Sequence, residues 1–314
     1  MLRSIQGDLE YLSNELRMPD FNGNSPCWFD SVSRIPGGPN PMTDVSLQVS
    51  WMCTIISAAE GVLVPPSSHP IFGIVGASCW HCPGDLMHSG DLGVVQYLTG
   101  SILEELCDEW PGPLTQQGRT EHVWRAIKSK YDENQTSNRL GILKKEMFSR
   151  RDDFPCLKAK AAESRALLFT LKDICSDIND RSDRDEHRIR CLRGLCTVYS
   201  IFKQADLFLS AEDSKSALEN YDVFLLHYHW LLKRSLSQGF RRYGLYFKFH
   251  NMWHIVEASR WLNPCSTWCY DFEDFQRQVV AAGRACVAGS PMVIIGNKVL
   301  QNLLLVLELQ ARSF

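Results

Sequence analysis

From Leu92 onward the apolar residues recur three and four positions apart, and that spacing restricts most of this chain to helices. Val94, Val95, Leu98, Ile102 and Leu106 would lie along one face of a 3.6-residue turn. The same period predicts helices over 121–131, 140–148, 157–178 and 186–208. Ser210, with Asp213 three residues on, has the form of a capping box and predicts a helix from there to about Leu236. Gly239 to Gly244 breaks the pattern. It resumes over 249–262, ends at Asn263-Pro264, resumes over 271–287, and closes the chain over 294–311.

The first seventy residues are less regular. A short helix is expected over 5–16, and the Pro-, Gly-, Asn- and Ser-rich stretch 19–41 reads as loop. The run 45–56 is apolar and β-branched, so strand and buried helix both remain open; 72–75 is a short apolar run suited to a core strand. The chain has 314 residues, long enough for one large domain or two ordinary ones. With 45% apolar and 22% charged residues it is of ordinary globular composition. No basic head followed by an apolar middle marks a secretory leader. The apolar run 45–64 is interrupted by polar residues and 299–309 is too short for a bilayer, so no membrane span is expected. Twelve scattered cysteines, among them Cys27, Cys53, Cys107 and Cys156, read as reduced thiols of an intracellular protein, cytoplasmic or nuclear.

Charge is unevenly placed. Residues 119–260 hold 26 of the 33 Lys+Arg and 19 of the 36 Asp+Glu, a net of +7, leaving −10 on the flanks. A basic middle region suits a polyanion such as DNA; a solvated helical surface explains it as well.

Four constellations can carry chemistry. Asp85 with His88 three residues later follows the 72–75 run, where an acid would help hold a pair of Mg²⁺ ions for phosphoryl transfer. The structural alternative is a turn with Asp91 as helix N-cap. Glu273 in Tyr270-Asp271-Phe272-Glu273 sits at a helix start, where a carboxylate completes a metal site or simply complements the helix dipole. His250, His254 and Glu257 share one helical face, as a His-His-carboxylate metal site requires; histidines on a Trp-rich face are also ordinary core groups. Cys79, Cys82, Cys265 and Cys269 offer four thiolates to zinc, although the two pairs lie far apart in the chain.

Taken together, Asp85-x-x-His88, a long helical stretch, Lys248-x-His250-x3-His254 and Tyr270-x-Phe272-Glu273-x-Phe275 resemble the DDE transposases with an RNase H-like core. The likeness is to CACTA-type elements and more distantly to the hAT type, and the stretch from Gly84 to Val287 looks like transposon-derived proteins of protist genomes. The resemblance implies that Asp85 is the second catalytic aspartate, Glu273 the catalytic glutamate and His88 the family's histidine. Together with two Mg²⁺ ions they would cleave or transfer a DNA strand held by the helical region 119–260. The family's first aspartate should end an apolar strand upstream; only Asp20, Asp30 and Asp44 are available and none follows one. Either the start of the fold is missing or the copy is degenerate.

The expected fold is therefore mainly α (α+β). A small RNase H-like sheet remnant near 45–90 belongs to a partial core in 1–91, a helical insertion fills 92–247, and helices of 248–314 complete the core. Self-association is open. The rival expectation is a non-catalytic helical protein, derived from a transposon, that binds nucleic acid or protein.

Overall fold

A computed structural model describes residues 4–46, 49–63, 66–109, 115–150, 153–178, 182–287, 294, 296–301 and 304. Contacts divide the chain into two units, Met1–Trp268 and Cys269–Phe314. The first unit begins with short pieces: α1 (Leu9–Asn14), which Asp8 caps by accepting the Tyr11 N–H, and α2 (Ala58–Leu63). Long helices follow as α3 (Val95–Glu109), α4 (Gln116–Glu133), α5 (Ala161–Ser176), α6 (Asp183–Gln204), α7 (Ala211–Ser237) and α8 (Phe247–Ala258). Ser210 caps α7 by accepting the Asp213 N–H, as its sequence predicts.

The mainly helical expectation holds, but no strand occurs among the described residues. A single bridge between Ser33 and Pro41 is the only β pairing there. Within 45–90 the chain forms tight turns instead, at Ser50–Thr54, Pro70–Gly73 and Cys79–His81. The reason is the lack of partners: a four-residue apolar run cannot build a ladder alone. Phe72 is buried as a single anchor, while Ile74 and Val75 face solvent. The helix expected over 140–148 is likewise only a turn at Lys145–Met147, beside an irregular segment that buries Leu140, Leu143 and Phe148.

Two features place α8 at the centre of the first unit. Its residues from Phe249 to Val256 are all buried, so it is a core helix covered all round. One side meets a π-helical segment, Met87–Val94, that runs into α3. Asn251 donates to Ser89 Oγ (2.8 Å), and Lys248 Nζ takes the Leu92 carbonyl (2.9 Å). The α6–α7 pair packs backbone to backbone at Gly194, where an added Cβ would lie 2.8 Å from the Asn220 carbonyl oxygen.

Charge pairing alters the meaning of the basic middle region. Arg184 and Arg188 of α6 and Arg242 after α7 turn inward to Glu104, Glu105, Asp108 and Glu109 of α3, acids from outside the basic stretch. Lys130 and Arg139 pair with Glu133, Asp177 and Asp132. Part of the apparent polyanion-binding charge is thus neutralised within the first unit. No helix among the described residues is long and apolar enough to cross a membrane.

The second unit is built on α9 (Tyr270–Val287). Glu273, Phe275, Arg277 and Val280 are exposed on it and Cys286 is buried. Residues 296–301 are also helical. Most of the helix expected over 294–311 lies outside the described residues.

Candidate metal centre

Four potential metal ligands from two distant parts of the chain converge inside the first unit: Cys27, Asp30, His250 and His254. Their donor atoms all lie within 4.8 Å of one another. The two histidines are four apart on α8, so both rings leave the same face. Cys27 and Asp30 come from the loop predicted at 19–41, which local hydrogen bonds shape. The Phe29 N–H donates to Cys27 Sγ (3.3 Å) and the Val32 N–H to Asp30 Oδ1 (2.9 Å). The loop is anchored further on, where Ile56 N–H reaches the Phe29 carbonyl (2.8 Å).

The geometry is that of a shared centre. His250 Nε2 and His254 Nε2 lie 3.1 and 3.0 Å from the same oxygen, Asp30 Oδ2, and 3.2 Å from each other. Cys27 Sγ is 3.5 Å from His254 Nε2. A neutral imidazole nitrogen has one hydrogen or one lone pair, yet His254 Nε2 faces a sulfur, an oxygen and a nitrogen at once. Hydrogen bonds cannot satisfy all three contacts; a cation at their centre can. Tetrahedral zinc, with bonds of about 2.0–2.3 Å, sets its nitrogen and oxygen ligands about 3.3 Å apart and sulfur and nitrogen about 3.6 Å apart. The four separations given above match these edges to within a few tenths of an ångström.

Electrostatics agree with that arrangement. Burial alone would raise the Asp30 carboxyl, but hydrogen bonds from His250 and His254 outweigh it and hold the carboxyl well below the usual range. Burial pulls His254 down to about 4, so it is neutral. A metal takes a carboxylate and a neutral imidazole, and would replace the Nε2 protons that bond Asp30. Burial, with Asp30 nearby, pushes the Cys27 thiol well up, so binding of a metal must displace its proton. Asp30, His250 and His254 side chains are at most 2% exposed. Phe29, Trp51 and Trp253 pack around the histidine rings at centroid distances of 4.5 to 5.3 Å. The rings enclose the four donors, an environment that suits a structural metal site better than a catalytic one. His254 Nδ1 is buried without a hydrogen-bond partner among the described residues, so the metal's usual outer support is incomplete at this ring.

The sequence brings two of these four ligands forward and assigns the rest elsewhere. His250 and His254 do share a site, but Glu257 does not complete it: one turn further along, it pairs with Arg260 (2.6 Å). Asp30 supplies the carboxylate, and Cys27, grouped by sequence with the inert thiols, supplies the sulfur. The spacing Cys27-x2-Asp30 with His250-x3-His254 is a zinc-like pattern in which an aspartate stands in the second cysteine position, and that substitution hides it.

The remaining candidates lie as follows. Asp85 is buried and accepts from the His88 N–H (2.8 Å), with His88 Nδ1 2.6 Å from the same oxygen; Asp91, expected as a possible N-cap, lies inside the π-helical segment. Glu273 is exposed on α9 in the second unit. Cys79 and Cys82 are buried, with thiols pushed up to about 11 and about 12 by burial. Burial likewise takes Cys265 to about 12. Among the described residues no ligand set contains Cys79, Cys82 or Cys265, and Cys269 opens the second unit.

No known protein family, curated protein or solved structure matches this chain.

Proposed function

We propose that this chain is a non-catalytic, zinc-binding helical protein. In it one metal ion fastens the irregular N-terminal segment to the helical core, and the assembled helices serve as a binding scaffold. The observation that carries this reading is the convergence of Cys27, Asp30, His250 and His254, with a single imidazole nitrogen in contact with the other three donors. Zinc suits a mixed thiolate, imidazole and carboxylate set in a closed four-ligand geometry. The clamp also explains why a segment with little regular structure keeps a defined shape. Its ends are more than 200 residues apart in sequence, so closing that loop without a tether is entropically costly.

Elemental analysis of the purified chain tests the proposal. One zinc per chain is expected, with chelation lowering the thermal midpoint and Cys27→Ser abolishing stoichiometric binding. A chain that neither retains nor takes up zinc, and whose midpoint ignores chelators, overturns it.

A second reading rests on a separate observation, the pairing of the buried Asp85 with the half-buried His88. On the transposase resemblance, Asp85 and Glu273 would hold two Mg²⁺ ions to cut DNA, with a further acid still to be found. Mg²⁺-dependent nicking by the wild type, lost in both Asp85→Ala and Glu273→Ala, would favour it over the scaffold. No nicking, or nicking unchanged in both variants, removes it.

A further inference from the structure

Apart from the metal centre, the first unit has a half-open cavity of about 1100 Å³. Its sides come from α5, the end of α6, the loop after α4 and the turn after α8. Three features of the walls point to a class of ligand.

The first is planar surface. Phe169 of α5 and Trp268 are half-buried, and Tyr199 and Phe202 of α6, which also line the cavity, are buried. Arg165, another lining residue, lies over Trp268, its guanidinium 5.0 Å from the ring centroid, and pairs with Asp91 at 3.3 Å. Flat aromatic faces beside a guanidinium favour a planar, π-rich group.

The second is a pair of lysines among the charged lining residues, which also include Asp173 and Asp206. Lys203, in the last turn of α6, is exposed and makes no ion pair with the described residues. Lys172 stands on the opposite wall with Asp173 as its neighbour (3.0 Å). A helix C-terminus favours a lysine in its own right, but here that lysine also borders a cavity with aromatic walls.

The third is rigidity. Asn263 Nδ2 donates to the carbonyls of Phe202, Ala205 and Asp206 at 2.8 to 3.1 Å, fixing the end of α6 where its carbonyls lack helical partners. Across the cavity, Asn134 is pinned to Asp173 (2.8 Å), and Gln135 and Asn138 hold left-handed backbone angles. Non-glycine residues in that region cost free energy and tend to gather where a ligand is bound. Ligand cavities usually measure about 300–1000 Å³, so this one is ample for a ring, a sugar and a phosphate.

We infer that this cavity binds a mononucleotide, its base lying against Phe169 and Trp268 and its phosphate held by Lys203 and Lys172. Isothermal titration of the full zinc-loaded chain with AMP, and separately with adenosine and with inorganic phosphate, tests the inference. One AMP per chain is expected, bound more tightly than either half. Lys203→Glu, at an exposed position, should weaken AMP at least about tenfold and leave adenosine unchanged. Phe169→Ala should weaken AMP and adenosine together. No saturable AMP binding up to about 1 mM overturns the inference. So does AMP binding that Lys203→Glu leaves untouched, or phosphate binding as strong as that of AMP.

Discussion

Arg188 on α6 and Glu105 on α3 form an ion pair, 3.0 Å apart, in which neither side chain is more than 1% exposed. Tyr243 completes it: its hydroxyl donates to Glu105 (2.5 Å), and its backbone N–H donates to Ser101 while it holds a left-handed φ of 62°. Burial pushes the Glu105 carboxyl up, with Arg188 and Tyr243 pulling against it. Such a pair contributes little net stability compared with an apolar replacement, yet breaking it leaves a buried charge without its partner. Arg188→Met is therefore expected to lower the unfolding free energy by about 3–5 kcal/mol in urea titrations. The double variant Arg188→Met/Glu105→Leu should recover part of that loss. A double variant that recovers nothing would mean that the loss does not come from the Glu105 carboxylate left without its partner.

The metal ligands make a sharper discrimination, because sequence and structure select different carboxylates. Glu257→Gln should leave zinc stoichiometry at one per chain, whereas Asp30→Asn should weaken zinc by orders of magnitude while nearly preserving shape. A competition titration against a chromogenic chelator reads both. Cys79→Ser and Cys82→Ser should behave like Glu257→Gln, since neither thiol belongs to the ligand set. Equal losses in Glu257→Gln and Asp30→Asn would mean that the site has been read wrongly.

What was legible in the chain follows from range. Helices α3 to α9 announce themselves because their apolar spacing and caps are local, and Ser210 is a cap in sequence and in structure alike. The sheet expected near 45–90 came from the transposase resemblance together with apolar, β-branched composition that left strand and helix both open. Composition without a second strand to pair with gives only turns, as at Ser50–Thr54. His250 and His254 were visible as a pair on one helical face, while their partners lie 224 and 227 residues away, beyond the reach of any periodicity. The charge asymmetry hides pairing for the same reason: the acids that pair with Arg184, Arg188 and Arg242 belong to α3, outside the basic stretch. Among the described residues, the distant contacts between chemically unlike segments were the ones that could not be read.

Gly194 gives a test of packing that is independent of charge. Its Cα on α6 lies against the backbone of α7, and a methyl group there would sit 2.8 Å from the Asn220 carbonyl oxygen and 3.4 Å from Phe224 Cβ. Neither neighbour can swing away as the end of a flexible side chain would. Alanine is the better helix former by about 1 kcal/mol, so the substitution would stabilise an isolated helix. In this fold the clash should prevail, with Gly194→Ala lowering stability by about 1–3 kcal/mol. A higher urea midpoint in the variant would mean that the two helices do not approach so closely.

Acid should loosen the same helix pair through His187 and His227, whose Nδ1 atoms meet at 2.8 Å while His187 stacks on Trp230. Burial, then Arg190, lowers His187; burial, then His187 itself, lowers His227. Both folded-state values thus lie below the unfolded reference of about 6.5, and the unfolded chain takes up protons first as pH falls. The stability these residues contribute is complete above about pH 6.5 and is lost as pH drops through their lower folded values. Acid can also release metal from the Cys27, Asp30, His250 and His254 centre, so the informative quantity is a difference between two zinc-saturated proteins. The urea midpoint of the wild type should fall more steeply from neutral pH to about pH 5.5 than that of His187→Gln/His227→Gln. Parallel slopes would show that this pair titrates alike in the folded and unfolded chains.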